Sequence, residues 1–161
     1  MNQTLNAVSQ RHLIPRLLMA LPENEVIAVA ETLAHLYQIE DVTLPQAGLG
    51  LMQLEDSALV EAYYLGEIPL AAAHVALVDA KQNRTEGVAQ VMSSSPELAR
   101  AIAIMDAVVG GELDGYEAVT PLLARGLDII SEQKTARKKI LARTRVDFSL
   151  LGSAEEVDGD E

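Results

Sequence analysis

Apolar residues recur along this chain with two different periods, and the changes between them divide it into three stretches. In the first, Leu5, Val8, His12, Leu13, Leu17 and Leu18 fall on one helical face up to about Ala20, and Pro15 predicts a kink or break within it. Pro22-Glu23-Asn24-Glu25 reads as a new helix start, with carboxylates where the helix dipole favours them. Val26, Val29, Leu33 and Leu36 carry that helix to about Tyr37. The period then changes. Gly48-Leu49-Gly50-Leu51-Met52-Gln53-Leu54 suits a strand that something approaches closely. Residues 62–68 read as a second strand, which Pro69 ends or confines to an edge. Residues 70–78 read as a third, with Ala71, Ala73, Val75 and Leu77 on one face and Ala72, His74, Ala76 and Val78 on the other. A polar hairpin loop over 79–84 leads into a fourth strand over 85–92.

The third stretch returns to helix. Ser95-Pro96-Glu97 is an N-cap, a proline at the first helical position and an acidic first turn. Leu98, Ile102, Met105 and Val109 follow at helical spacing until Gly110-Gly111 stops them. A last helix is expected from Thr120-Pro121 to about Thr144. Its middle, residues 131–139, has no apolar side chain beyond Ala136, so that part leaves the body of the domain or faces a partner. The expected fold is therefore α+β: a four-stranded antiparallel meander over about 48–92, flanked by N-terminal helices over about 2–37 and C-terminal helices over about 96–144. One domain is expected over residues 1–151, with 152–161 as an acidic disordered tail.

Composition narrows the chemistry. Aromatics make up 3% of the 161 residues, so the core rests on Leu, Val, Ile, Ala and Met. The net charge of −12 repels phosphate backbones and argues against nucleic-acid binding. With no Cys, thiolate catalysis and Cys-based metal sites are excluded. No apolar run is long enough to span a bilayer and the N-terminus lacks a signal-peptide order, so a soluble cytoplasmic protein is expected.

Candidate catalytic groups are sparse. His12 and His35 lie on predicted helices with no metal-ligand spacing to a partner. His74 and Asp79 differ in parity on one strand and cannot form a dyad without a bulge. Glu61, Glu67 and Glu86 either cluster across strands or decorate a solvated sheet face. Gly48-Leu49-Gly50 lacks the third glycine of a dinucleotide loop. The basic run Lys134, Arg137, Lys138, Lys139, Arg143 and Arg145 holds six of the 12 cationic side chains. It either grips a polyphosphate or carboxylate-rich partner, or it is a solvated face offsetting the acidic tail. Phe148, the single Phe, follows it as an aromatic of the kind that anchors interfaces.

Several of these segments, in this order, resemble the G subunit of the bacterial carbon–phosphorus lyase system, the PhnG family. They are Gly48 to Leu54, Tyr63-Tyr64-Leu65-Gly66-Glu67-Ile68, the hairpin Ala71–Leu77 with Gly87–Met92, and Pro96-Glu97-Leu98-Ala99 with Met105-Asp106-Ala107. The most specific is the ending Thr144-Arg145-Val146-Asp147-Phe148. The resemblance covers roughly residues 44–151 and departs from the family pattern after Phe148, where Ser149-Leu150-Leu151 and the acidic tail follow. It implies a subunit working with I-type, H-type and J-type partners to transfer an alkylphosphonate onto ribose C1′ of ATP with release of adenine. The resemblance assigns the nucleosidase-type site to the I subunit and radical cleavage to J, so no catalytic, cofactor-binding or metal residue carries over, and ATP is used by the complex. Gly66, Glu67, Arg143, Arg145, Val146, Asp147 and Phe148 are nominated as structural or partner-contact positions. Two alternatives stay open: a free-standing enzyme using His74 with nearby carboxylates, and a scaffold or regulatory protein with no substrate.

Overall fold

A computed structural model describes residues 11–58 and 60–143. A 3-10 turn over Arg11–Leu13 leads into α1 (Ile14–Leu18), followed by α2 (Glu23–Ala34). Three strands come next: β1 (Gln38–Glu55), β2 (Ala62–Val78) and β3 (Arg84–Val91). Two helices close the order, α3 (Pro96–Gly110) and α4 (Tyr116–Arg143). The sheet is antiparallel in the order β1-β2-β3.

The expected α+β class holds, but the four-stranded meander does not: the sheet has three strands. Residues 62–68 and 70–78 belong to one strand that runs through Pro69. Pro69 is tolerated because the β2–β3 ladder begins only at Ala71. At Pro69 one edge of β2 has no strand beside it, so the missing N–H leaves no gap in a ladder. The first strand also begins ten residues before Gly48, because Gln38 to Ala47 pair with β2 despite Glu40, Asp41 and Pro45. Pro45 falls inside a register shift between Thr43 and Gln46 on an edge strand, a place where the pairing can spare a donor.

The helix at the centre is α3. Ser95 caps it by accepting from the Leu98 N–H at 3.1 Å, Pro96 occupies its first turn, and Gly111 follows its end. From Leu98 to Val109 every residue except Arg100 is buried. A helix apolar on all sides needs cover on all sides. The sheet supplies one flank through Ala71, Ala73, Val75 and Leu77, and α2 supplies another through Val26, Ala30 and Leu33. Leu17 and Leu18 of α1 with Val119, Leu122 and Leu123 of α4 complete the core. Because the core is rich in alanine, backbones approach closely. A Cβ on Gly87 would collide with the Ala103 carbonyl and the Ala107 backbone of α3.

The last helix begins at Tyr116 rather than at Thr120, so Pro121 lies inside it. The proline costs one intrahelical bond. Burial of Val119 ahead of it and of Leu122 and Leu123 behind it offsets that loss. Beyond Ile130 every described residue of α4 is exposed, as the polar middle of the sequence predicts.

One carboxylate is buried among all this apolar surface. Asp106, 5% exposed, accepts from Arg11 Nε and from an Arg11 terminal nitrogen, both at 2.7 Å, and from the Val88 N–H at 3.0 Å. The same Arg11 donates to the Glu86 carbonyl at 2.8 Å. Glu86 and Val88 are alternate residues of β3, so their backbone groups point to the same side of the strand. That side is the outer edge. The Arg11–Asp106 pair therefore gives β3 the donor and acceptor that a further strand would give it. The ion pair holds the Arg11 guanidinium above its ordinary range, chiefly through its hydrogen bond to Asp106.

Two stability outcomes are expected. Arg11→Ala leaves the Asp106 carboxylate buried without its cation and lowers unfolding free energy by about 3 kcal/mol. Gly87→Val forces α3 off the sheet and costs about 3 kcal/mol or more. Urea denaturation followed by circular dichroism reads both; a loss under about 1 kcal/mol for either would contradict the corresponding argument.

Candidate functional site

The face of the sheet away from α3 carries the histidine that sequence singled out. His74 stands opposite Val88, and Glu86 lies diagonally across from it on the same face. His74 Nε2 and Glu86 Oε2 are 2.9 Å apart. Glu86 is also held by Arg84, which reaches Glu40 of β1 at 3.6 Å. The hydrogen bond from His74, then that from Arg84, lowers the Glu86 carboxyl below its ordinary value. The parity argument separating His74 from Asp79 stands: Asp79 instead organises the β2–β3 turn, accepting from the Lys81 N–H at 2.7 Å and the Asn83 N–H at 2.9 Å. Asn83 in turn is the main cause of the lowered Asp79 carboxyl.

The three glutamates do not cluster. Glu67 sits on β2 nine residues before Ala76, the partner of Glu86, a separation of about 30 Å along the strand. Glu61 precedes β2 altogether. His12 and His35 are exposed at helix termini. Among the described residues no group of three His, Cys, Asp or Glu is placed to hold a metal ion. The His74–Glu86 pair is capable of passing a proton, but it lies on an open face beside an ion-paired arginine, with no nucleophile next to it.

The larger feature is the arm. Past the start of β3's ladder, β1 and β2 continue as a two-stranded ribbon whose β2 half, residues 62–70, is about 30 Å long. None of its described residues is buried. Leu49 and Leu51 are 68% and 60% exposed, and Leu54, Val60, Tyr63, Tyr64 and Leu65 are exposed with them. Leu49, Leu51 and Pro69 extend the face that α3 covers within the body. The ribbon is irregular at Gly66. There the pairing slips between Met52 and Gln53, leaving one extra residue on β2, and Gly66 has a φ of 149°, a backbone state that a side chain disfavours. Glu67 follows, facing Leu51 across the ladder. Gly66 and Glu67 thus lie together on the arm, while Arg143 lies at the exposed end of α4. Arg145, Val146, Asp147 and Phe148 fall outside the described residues.

Sequence reasoning missed Arg11 and the role of Asp106. The available signal was a lone carboxylate inside the apolar run Leu98–Val109, a position that demands a buried partner.

Two outcomes test this geometry. Because the Glu86 carboxyl is lowered in the folded chain, its ion pairs contribute above the ordinary glutamate value and are lost as pH falls through the lowered one. The Glu86 side-chain resonances should therefore titrate below the ordinary glutamate range, and His74→Ala should move them back toward it; an unchanged Glu86 titration in that variant would break the pairing. Gly66→Ala should cost roughly 1 kcal/mol through backbone strain, with chemical-shift changes confined to the arm.

No curated protein matches the chain. The model of one protein family does, over residues 9–152, and its description is phosphonate metabolism protein PhnG. That span takes in the Arg11–Asp106 pair, the whole sheet, the arm and both C-terminal helices. No helix among the described residues is long and apolar enough to cross a membrane. With the match covering most of its length, the chain belongs to the PhnG family of phosphonate metabolism proteins.

Proposed function

We propose that this chain is an accessory, non-catalytic subunit of the carbon–phosphorus lyase core complex, acting in the cytoplasm with I-type, H-type and J-type subunits. The complex, a transferase, joins an alkylphosphonate oxygen to ribose C1′ of ATP and expels adenine, giving ribose 1-methylphosphonate 5-triphosphate. This chain supplies binding surface, and ATP serves the complex rather than this subunit alone.

The arm carries this reading. A two-stranded hairpin with both faces in water is marginal by itself. Exposed leucines and tyrosines gathered on one projecting element mark a protein-binding surface. The all-exposed end of α4, with Ile140 and Leu141 at 64% and 58%, is a second such element. A single observation favours another reading, a free-standing enzyme: the His74–Glu86 contact. It predicts turnover by the isolated chain and its loss in His74→Ala.

Co-expression with an I-type partner, followed by size-exclusion chromatography with mass determination, separates the two. The native pair should co-elute. Leu49→Ser with Leu51→Ser should weaken the pair by about 2 kcal/mol or more while leaving the isolated chain folded. Undiminished co-elution of that variant would remove the arm from the interface. Separate elution of the native chains, with phosphonate-dependent ATP consumption by this chain alone, would favour His74.

A further inference from the structure

The arginines of the described chain fall into two groups. Arg11, Arg84, Arg100 and Arg125 each meet a carboxylate: Asp106, Glu86, Asp41 and Glu25 respectively. These side chains are committed to the fold. Arg16, Arg137 and Arg143 meet no carboxylate among the described residues, and the first two are brought to one place. A groove of about 530 Å³ between α1 and α4 is lined by Arg16 from α1 and by Lys134 and Arg137 from α4. Met19, Ile130 and Gln133 line it as well, and among the described residues no acidic side chain does.

Gathering three cations without a counter-charge is unfavourable, and in a chain of net charge −12 it is unexpected. Lys134 and Arg137 are three residues apart on one helix and so share a face. Arg16 confronts them from a separate element. The two walls are fixed relative to each other, because α1 crosses α4 where Gly126 lies against the Leu17 backbone; a Cβ there would collide with the Leu17 carbonyl. The volume lies within the range of small-molecule sites. Two guanidiniums offer forked donors that match phosphoryl oxygens, and an ammonium adds a compact charge.

We propose that this groove binds an oligophosphate, either a free inorganic chain or the polyphosphate end of a phosphate ester, with Arg16, Lys134 and Arg137 as its ligands. The shape favours a compact polyanion over a peptide. Three cations converge on one short groove, with an amide donor in Gln133 beside them, rather than following an extended track. The site is distinct from the arm and stands whether or not the arm docks a partner.

Isothermal calorimetry on the full chain at low salt, with inorganic tripolyphosphate as the probe, tests it. Sub-millimolar, roughly one-to-one binding is expected, weakening as salt rises. Arg16→Gln and Arg137→Gln should each weaken binding roughly tenfold or more, the loss of a charge-assisted contact. Lys138→Gln and Lys139→Gln, on the same helix but outside the groove, should change it less than about twofold. All four positions are exposed, so circular dichroism should show an unchanged fold. A nucleoside triphosphate binding more tightly than tripolyphosphate would identify the ester as the source, and the reverse the inorganic chain. No heat with either, equal losses across the four variants, or tighter binding by a polyglutamate peptide that displaces tripolyphosphate would each overturn the proposal.

Discussion

A single ion pair decides how the sheet ends. Three strands give two edges, and an edge strand offers unpaired donors and acceptors to any chain that comes near. At β3 that offer is withdrawn: Arg11 supplies a donor to the Glu86 carbonyl and Asp106 an acceptor to the Val88 N–H. The pair also ties the start of the described chain to the middle of α3 and both to the sheet. An ion pair of this kind is not strongly stabilising in net terms, since removing charge from water costs much of what the contact returns. Its worth is positional. It admits one register of α3 against β3, and the close approach at Gly87 depends on that register.

The opposite edge is treated differently. β1 pairs with β2 alone, has no buried residue along its length, and continues with β2 into the arm. The structure is therefore lopsided. One edge is sealed by side chains that appear in no other role, and the other carries most of the exposed leucines and tyrosines of the described residues into water. The proposed subunit role follows from that contrast more than from any catalytic group. The pairing of His74 with Glu86 is satisfied within the sheet face itself, with Arg84 completing it.

The legible parts of the fold were those with strong local chemistry. Ser95-Pro96-Glu97 opened α3 and Gly110-Gly111 closed it, as their capping preferences require. The alternation from Ala71 to Leu77 separated the two faces of β2, and packing against α3 made the face of Ala71, Ala73, Val75 and Leu77 the core one. The errors came where distant residues decided the outcome. Pro69 reads as a stop only if its strand has neighbours on both sides, and the sequence does not reveal that the ladder with β3 begins two positions later. Glu40, Asp41 and Pro45 look like loop residues because an exposed edge strand asks for no apolar alternation. Thr120-Pro121 looked like a helix start until burial of Val119 drew another turn ahead of it. At the candidate sites, the parity of His74 was readable, but its diagonal partner on β3 was not. The groove was out of reach for the same reason: Arg16 stands more than a hundred residues before Lys134, and only the crossing of α1 over α4 brings them together.

Because β2 passes from body to arm without a break, the two have no hinge between them. Its C-terminal half holds Ala71, Ala73, Val75 and Leu77 under α3, and its N-terminal half lies uncovered. Whatever covers the folded arm draws the whole chain toward its native state by mass action, since it binds the paired strands and not the unfolded chain. The cell then reads assembly as lifetime. An orphan copy presents a fraying ribbon to proteases, and a covered copy presents none.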